Sequence, residues 1–297
     1  MIKLKNILII IANRFSYFFP DKIYLKLQFR LRMGYSLNLA DPKTLSEKIQ
    51  WLKLHDRNSE YPNLVDKFEV KSQVAQKIGG EHIIQTLWVW DTVEEINFDC
   101  LPKQFVLKTT HGGGNSGVVV CADKDKLNRK ATIVKLNKSL KQDIFNDFRE
   151  WPYKNVKKRI IAEQFMSQDD GSPLIDYKFF CFNGKPQYVY VSQNIPGAKR
   201  QLSCFLTMDW ELAPFKKRDE EYAAHAPTKP DTFDEMRKLA TKLAKDIPFV
   251  RVDLYEINKQ VYFSELTFYP SSGMQPFEPL EWNYKLGEML TLPEKRS

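Results

Sequence analysis

The spacing of apolar residues changes character about eighty residues into the chain. Before that point it is helical. In DPKTLSEKIQWLKLHDR, residues 41–57, Leu45, Ile49 and Leu52 fall on one face with Trp51 beside them. Thr44, followed three residues later by Glu47, has the form of a capping box, in which each side chain satisfies the other's backbone N–H. LVDKFEVKSQVAQKIG, residues 64–79, predicts a second helix, and Gly79-Gly80 suit its C-terminal cap. Beyond residue 80 the period falls toward two. Residues 83–90, 104–109, 118–122 and 160–166 read as strands, while 126–149, 233–246 and the tail 277–290 read as helices. Residues 176–193 form a hairpin around Asn183-Gly184, the dipeptide favoured in two-residue turns. Residues 249–268 form another. Hairpins mixed with helices, and no internal repeat, predict an α+β fold with largely antiparallel sheets.

The second hairpin carries the first candidate chemistry. A three-residue loop at Asn258–Gln260 sets Asp253 opposite Glu265, and Arg251 opposite Thr267. Opposed residues point to the same face, and side chains alternate along each strand. One face then holds Arg251, Asp253, Glu265 and Thr267; the other holds Val250, Val252, Leu254, Leu266 and Phe268. Paired carboxylates repel unless positive charge lies between them. Their hard oxygens suit Mg²⁺, which usually takes one or two carboxylates plus substrate phosphates. The competing reading is an ion cluster built with Arg251. A loop one residue shorter would break the pairing.

Three other segments could serve a phosphorylated ligand. His111-Gly112-Gly113-Gly114-Asn115-Ser116-Gly117 joins two strands, and its glycines would let backbone N–H groups approach phosphate oxygens. It is neither a P-loop nor a dinucleotide fingerprint, so a strand–loop–strand flap is expected. Lys108 on the leading strand adds a cation. Glu163-Gln164-Phe165-Met166 ends an apolar strand, where free backbone could read an adenine edge against an apolar wall. Asp176 and Lys178 share a face at the start of the first hairpin, as an ion pair or as a contact for phosphate or carboxylate.

Charge and cysteine content narrow the choice. The 297 residues carry a net charge of +8, which suits phosphates, acidic glycans or an anionic membrane. The lysines are scattered, with no run of five basic residues, so nucleic acid is not expected as a partner. Cys100, Cys121, Cys181 and Cys204 have neither C-x-x-C nor zinc-ligand spacing, and read as reduced thiols of a cytoplasmic protein. The N-terminus departs from the rest. ILIIIA at 7–12 is too short to span a bilayer, and no cleavage site follows it. Residues 1–34 hold seven basic residues against one acid, Asp21, with Phe15, Tyr17, Phe18, Phe19 and Phe29 among them. Two readings stay open: a helix packed on the protein's own body or a second subunit, and a segment lying on a membrane surface.

In order along the chain, these pieces resemble the ATP-grasp superfamily, and more closely its TupA-like family, often labelled glycosyltransferase and found with bacterial surface-polysaccharide genes. The supporting strings are KTLSEKIQWLK, LVDKFEVK, LPKQFVLKTTHGGGNSG, EWPYKN, IIAEQF, DYKFFCFNGKPQ and FVRVDLY. The resemblance implies two α+β subdomains gripping ATP, at 81–166 with the glycine-rich flap and 167–297 with the metal hairpin, after a helical region at 1–80. It implies ATP and Mg²⁺ as cofactors. Lys67 and Lys108 would contact phosphates beneath Gly112, Gly113, Gly114, Ser116 and Gly117. Glu163, Gln164 and Phe165 would meet adenine, and Asp170 the ribose. Asp253, Glu265 and Thr267 would hold the metal, with Arg251 and Lys178 steadying the transferred phosphoryl group. Thr267 stands where many members carry Asn, and the usual preceding α/β domain has no counterpart here. The implied reaction is ATP-dependent amide formation through an acyl phosphate, joining an amino acid to a uronic acid of a surface polysaccharide. A cytoplasmic enzyme touching the inner membrane face through residues 1–34 would suit it. Two alternatives remain: a glycosyltransferase using a nucleotide sugar, with Asp169-Asp170 as its metal motif, and a non-catalytic glycan- or membrane-binding protein.

Overall fold

The computed structural model describes residues 9, 12–114, 116–193 and 202–295. Asn115 and most of residues 1–11, including most of the ILIIIA run, lie outside the described residues. The first eighty residues supply helices α1 (Asp21–Met33), α2 (Leu45–His55), α3 (Tyr61–Val65) and α4 (Glu69–Ile78). The capping box forms: the Glu47 N–H donates to the Thr44 hydroxyl at 3.2 Å, and the Thr44 N–H to the Glu47 carboxylate at 3.0 Å. The single helix expected over 64–79 is broken. Asp66 causes the break, because its carboxylate accepts from the N–H groups of Phe68 and Glu69 at 2.8 and 3.1 Å and starts a new helix. Lys67 therefore sits in the gap, where its N–H donates to the Thr110 carbonyl at 2.9 Å.

Strands β1 (Thr86–Trp90), β2 (Phe105–Thr109), β3 (Val118–Cys121) and β4 (Ile160–Gln164) make a small antiparallel sheet in the order β1-β4-β2-β3. The helix expected over 126–149 is also two, α5 (Arg129–Leu140) and α6 (Ile144–Phe148), since Asp143 accepts from the Asn146 N–H at 3.0 Å and starts the second. Leu136 of α5 packs with Phe105, Leu107 and Ile160 in a core belonging to this sheet.

The large antiparallel sheet contains β5 (Asp176–Phe182), β6 (Lys185–Gln193) and β7 (Leu202–Thr207). The two-stranded pair to come begins with β8 (Lys216–Lys217), and α7 (Phe233–Ala244) follows. The large sheet is completed by β9 (Phe249–Ile257) and β10 (Gln260–Thr267), in the order β10-β9-β5-β6-β7. Strand β7 had no counterpart in the sequence reading. The tail is not one helix: β11 (Phe277–Glu278) pairs with β8 before α8 (Trp282–Glu288) begins. The core of the large sheet includes Ile49 and Leu52 of α2, Tyr61 of α3 and Val74 of α4. Tyr61 and Phe268 have ring centroids 4.3 Å apart. The described helices of residues 1–80 thus bury their main apolar faces in this shared core and in a smaller one where Leu25 and Phe29 meet Met274. Truncating a fully buried member such as Leu254 to alanine costs about 2–5 kcal/mol.

Both hairpins turn on two residues. Asn183-Gly184 do so as expected, with φ of 48° and 80°. The second turn is Asn258-Lys259, with φ of 50° and 63° and Ile257 opposite Gln260, so the expected three-residue loop at Asn258–Gln260 is corrected to two. That shorter loop alone would set Ser264 against Asp253 and turn Leu266 to the polar face. A bulge between Phe263 and Glu265 absorbs one residue, and Asp253 faces Glu265 while Arg251 faces Thr267. The expected pairing is therefore present, for a different reason than the one that led to it. Val250, Val252, Leu254, Leu266 and Phe268 are all buried on the other side.

Candidate functional site

The polar face of the large sheet is a ladder of opposed residues. One row runs Glu265, Asp253, Lys178, Tyr190 across β10, β9, β5 and β6. Arg251, one row away, binds the patch together. Its Nε and Nη2 donate to the two oxygens of Asp253 at 2.7 and 2.6 Å, and Nη2 also reaches Glu265 Oε1 at 3.1 Å and Thr267 Oγ1 at 3.0 Å. Lys67 enters from the gap between α3 and α4, placing Nζ 3.2 Å from Glu265 Oε2 and donating to the Gly112 carbonyl at 2.5 Å. One lysine thus ties the glycine-rich segment to the hairpin. Lys178 pairs with Asp176.

Burial and charge act against each other here. Burial pushes the Asp253 carboxyl up to about 7 although Arg251 opposes it, and the charges of Asp176 and Glu265 add to the rise. Burial also works to raise Glu265, but Lys67 and Arg251 outweigh it and hold the group near about 2. The Arg251 guanidinium is raised, because Asp253 and Glu265 more than offset its desolvation.

All four carboxylate oxygens of Asp253 and Glu265 face a cation of the chain. Among the described residues no group of three or more His, Cys, Asp or Glu stands together as a metal cluster. Two carboxylates and a hydroxyl suit an ion that completes its shell with phosphates and water, as Mg²⁺ does, and do not suit one caged by protein ligands alone. In the chain alone Arg251 supplies the positive charge that such an ion would bring.

A second cluster lies in the small sheet. Glu163, with a side chain only 5% exposed, holds Lys108 at 2.6 Å and Lys71 at 2.5 Å. Burial would raise the Glu163 carboxyl, but the two ammonium groups pull it below its ordinary range. Lys71 also donates to the Ile84 carbonyl at 2.8 Å and the Thr86 hydroxyl at 2.7 Å. The sequence reading missed Lys71. Its signal was the spacing in LVDKFEVK, where Lys71 stands one helical turn past Lys67. Glu163 pairs on both sides, with Thr86 and Val106, so it lies inside the sheet rather than at a free strand end. Phe165 is the first residue past the ladder. Gln164, Phe165 and Met166 line a cleft of about 280 Å³ with Ile257, Asn258, Gln260 and Tyr262 from the hairpin end.

In the glycine-rich segment, Gly113 and Gly114 have open space around them and Gly114 has φ of 59°. Gly112 and Gly117 are there for packing: an added Cβ would lie 2.5 and 2.1 Å from the Thr109 hydroxyl. Ser116 is exposed, donating to the Gly113 carbonyl at 3.2 Å and Gln142 at 3.1 Å. His111 is buried beneath, its Nε2 3.1 Å from the Ser139 carbonyl, and burial first, then Lys158, pushes its pKa down to about 4. Asp170 is not brought to the patch. It occupies an exposed turn and accepts from the Ser172 N–H at 2.8 Å, while Asp169 is tied to Asn258 at the hairpin tip. Further along the polar face, Lys217 stands 3.5 Å from the Tyr190 ring centroid. Burial pushes its pKa down to about 8 against the pull of Glu220.

The family model described as TupA-like ATPgrasp matches residues 47–291, from the first turn of α2 to just past α8. The chain belongs to the TupA-like ATP-grasp family. It has the α+β ATP-grasp fold, with the helices of its N-terminal region packed onto it. Comparison with curated proteins gives no match. Among solved structures, D-alanyl-alanine synthetase A from Vibrio cholerae O1 biovar eltor is similar, with a TM-score of 0.43 and 12% identity over 76% of this chain and 63% of that one. D-alanine–D-alanine ligase from Bacillus anthracis, complexed with ATP, gives 0.41 and 15% over 69% of this chain and 55% of that one. N5-carboxyaminoimidazole synthase from Aspergillus clavatus gives 0.38 and 12% over 69% and 44%. The TupA-like chain thus spans about half the length of the last two structures.

Proposed function

We propose that this chain is an ATP-dependent carboxylate–amine ligase, joining an amino acid to a uronic acid of a bacterial surface polysaccharide. The observation that carries the reading is the link made by Lys67, which contacts both the glycine-rich segment and Glu265 of the carboxylate pair. Family membership supports ATP as the nucleotide; the glycan and the amino acid follow from the family's resemblance alone. Adenine would occupy the cleft of Gln164, Phe165 and Met166. Lys67 and Lys108 would turn toward the phosphates, with Gly113 and Gly114 approaching them as backbone. Mg²⁺ held by Asp253 and Glu265, with Thr267 beside them, would neutralise charge on the phosphate oxygens.

In the reaction a carboxylate oxygen attacks the γ-phosphorus, the β–γ bridging P–O bond breaks, and ADP leaves an acyl phosphate. The amine nitrogen then attacks the acyl carbon. The C–O bond to phosphate breaks, and the amine gives its proton to solvent. Arg251, freed from part of its hold on Asp253, is placed to meet charge on the transferred group. Lys178 and Lys217 supply positive charge for an acidic substrate further along the same face. No acid or nucleophile triad is needed, since positioning and charge neutralisation carry most of such a barrier.

The test measures ADP release with ATP and Mg²⁺, with and without uronic-acid glycan plus an amino-acid mixture. Release that requires both substrates supports the ligase. Binding of a nucleotide sugar without ATP would favour the glycosyltransferase, and binding of glycan with no nucleotide turnover the non-catalytic alternative.

A further inference from the structure

We propose that the outer face of α1 and the turn before it form a docking surface for an anionic lipid bilayer. Tyr24, Leu25, Gln28, Phe29 and Met33 of α1 are buried against the protein. The opposite face is exposed and carries two stripes at helical spacing, Lys22, Lys26 and Arg30 beside Ile23 and Leu27. The preceding turn adds exposed Arg14, Phe15, Tyr17, Phe18 and Phe19. Phe18 is 80% exposed, Tyr17 73%, Ile23 55% and Phe15 48%. Single exposed apolar residues are ordinary, but so many large ones on one surface mark an interaction site. Aromatic rings interleaved with lysine and arginine match the headgroup region, where rings enter the boundary and ammonium groups meet lipid phosphate.

The charge pattern decides for lipid over a second copy of the chain. Asp21 is the acid of this segment, and it is turned to internal partners: Arg149 Nε at 2.9 Å and Arg57 Nη2 at 3.0 Å. The nearby Asp143 accepts from the Tyr17 hydroxyl at 3.2 Å and the Asn146 N–H at 3.0 Å. Two copies meeting face to face would set Lys22, Lys26 and Arg30 against their own equivalents. An anionic bilayer supplies the missing negative charge. The surface is also held in place. The Tyr24 hydroxyl donates to the Asp147 carbonyl at 2.9 Å, and the Arg149 guanidinium lies 4.4 Å from the centre of the Tyr24 ring. Little ordering is left to do on binding.

Cosedimentation of the full chain tests this with vesicles of phosphatidylcholine containing about one-third phosphatidylglycerol, and with phosphatidylcholine alone. The chain should bind the mixed vesicles and be released in about 1 M salt, where the screening length is about 3 Å. Each basic residue near an anionic surface contributes about fivefold, so Lys22→Gln/Lys26→Gln/Arg30→Gln should weaken binding about a hundredfold. Phe18→Ser/Ile23→Ser should weaken it about tenfold or more while leaving the salt dependence in place. These side chains are exposed, so circular dichroism and the thermal midpoint should be unchanged. ATP-dependent turnover with soluble substrates should be unchanged too, which keeps this test separate from that of the ligase. Equal binding to uncharged vesicles, or no binding to either, overturns the proposal. So does a concentration-dependent dimer that Phe18→Ser disrupts.

Discussion

Glu163 in the small sheet and Glu265 in the large sheet are each gripped by two cations, yet their clusters differ in balance. Around Glu163 one carboxylate faces two ammonium groups, Lys71 and Lys108, leaving one positive charge in excess. Around Glu265 there is a second carboxylate, Asp253, so Arg251 and Lys67 bring the cluster to neutrality. Exposure differs in parallel, at 5% for the Glu163 side chain and 27% for that of Glu265. A closed cluster built on one buried carboxylate holds its two ammonium groups in fixed positions, which suits a fixed seat for phosphate. A more open, neutral one would, on the proposed reading, yield its internal cation to a divalent ion. The same residue types thus give a closed anchor in one sheet and a more open, charge-balanced cluster in the other.

The largest expected effect separates the clusters by geometry. Inserting one alanine after Ser264 shifts the rest of β10 by one residue, turns Leu266 onto the polar face and Glu265 off it, and leaves the Glu163 cluster untouched. ATP-dependent turnover should vanish, and stability in urea should fall by about 3–5 kcal/mol from the broken charge cluster. Retained turnover would show that the pairing of Asp253 with Glu265 is irrelevant to function.

Point substitutions sharpen the contrast. Asp253→Asn and Glu265→Gln should each lower kcat about 10²–10³-fold, as removal of a positioned electrostatic group does. Glu163→Gln should act differently, costing about 3 kcal/mol of stability by leaving two half-buried lysines without their counter-charge, and raising the KM for ATP more than it lowers kcat. Steady-state kinetics beside denaturant melts reads both. A kcat loss for Glu163→Gln as deep as that for Asp253→Asn would erase the distinction.

The smallest effect is a pH slope. Asp253 is raised from 3.8 to about 7, so its contribution to stability is full below about 3.8 and fades as pH rises through about 7. Glu265, lowered from 4.5 to about 2, contributes above about 4.5 and loses this as pH falls through about 2. Only the first transition falls between pH 6 and 8. Glu150, pushed up to about 7 by burial, titrates there too, so the Asp253 share is the difference between the chain and Asp253→Asn. Ion binding favours ionised Asp253, so the thermal shift given by Mg²⁺ and ATP should be about 2–4 °C greater at pH 8 than at pH 6. Asp253→Asn should abolish that difference, and chelation of the metal should do the same.

The sequence by itself determined the α+β class, the capping box of α2, the Asn183-Gly184 turn and the opposite faces of the β9–β10 hairpin. Each depends on period, caps or turn chemistry, which act over a few residues. The tertiary structure decided the rest. Asp66 broke a periodic helix because two backbone N–H groups needed an acceptor, and the break put Lys67 within reach of both Gly112 and Glu265. Glu163 has the local pattern of a strand end, but neighbouring strands on both sides and two lysines remote in sequence made it a buried anchor. The register that pairs Asp253 with Glu265 depends on a two-residue turn and a bulge together, and no local pattern specifies that sum. Burying Leu266 and Phe268 selects the register, because any one-residue slip would turn their apolar surface to water and Asp253 away from its partner.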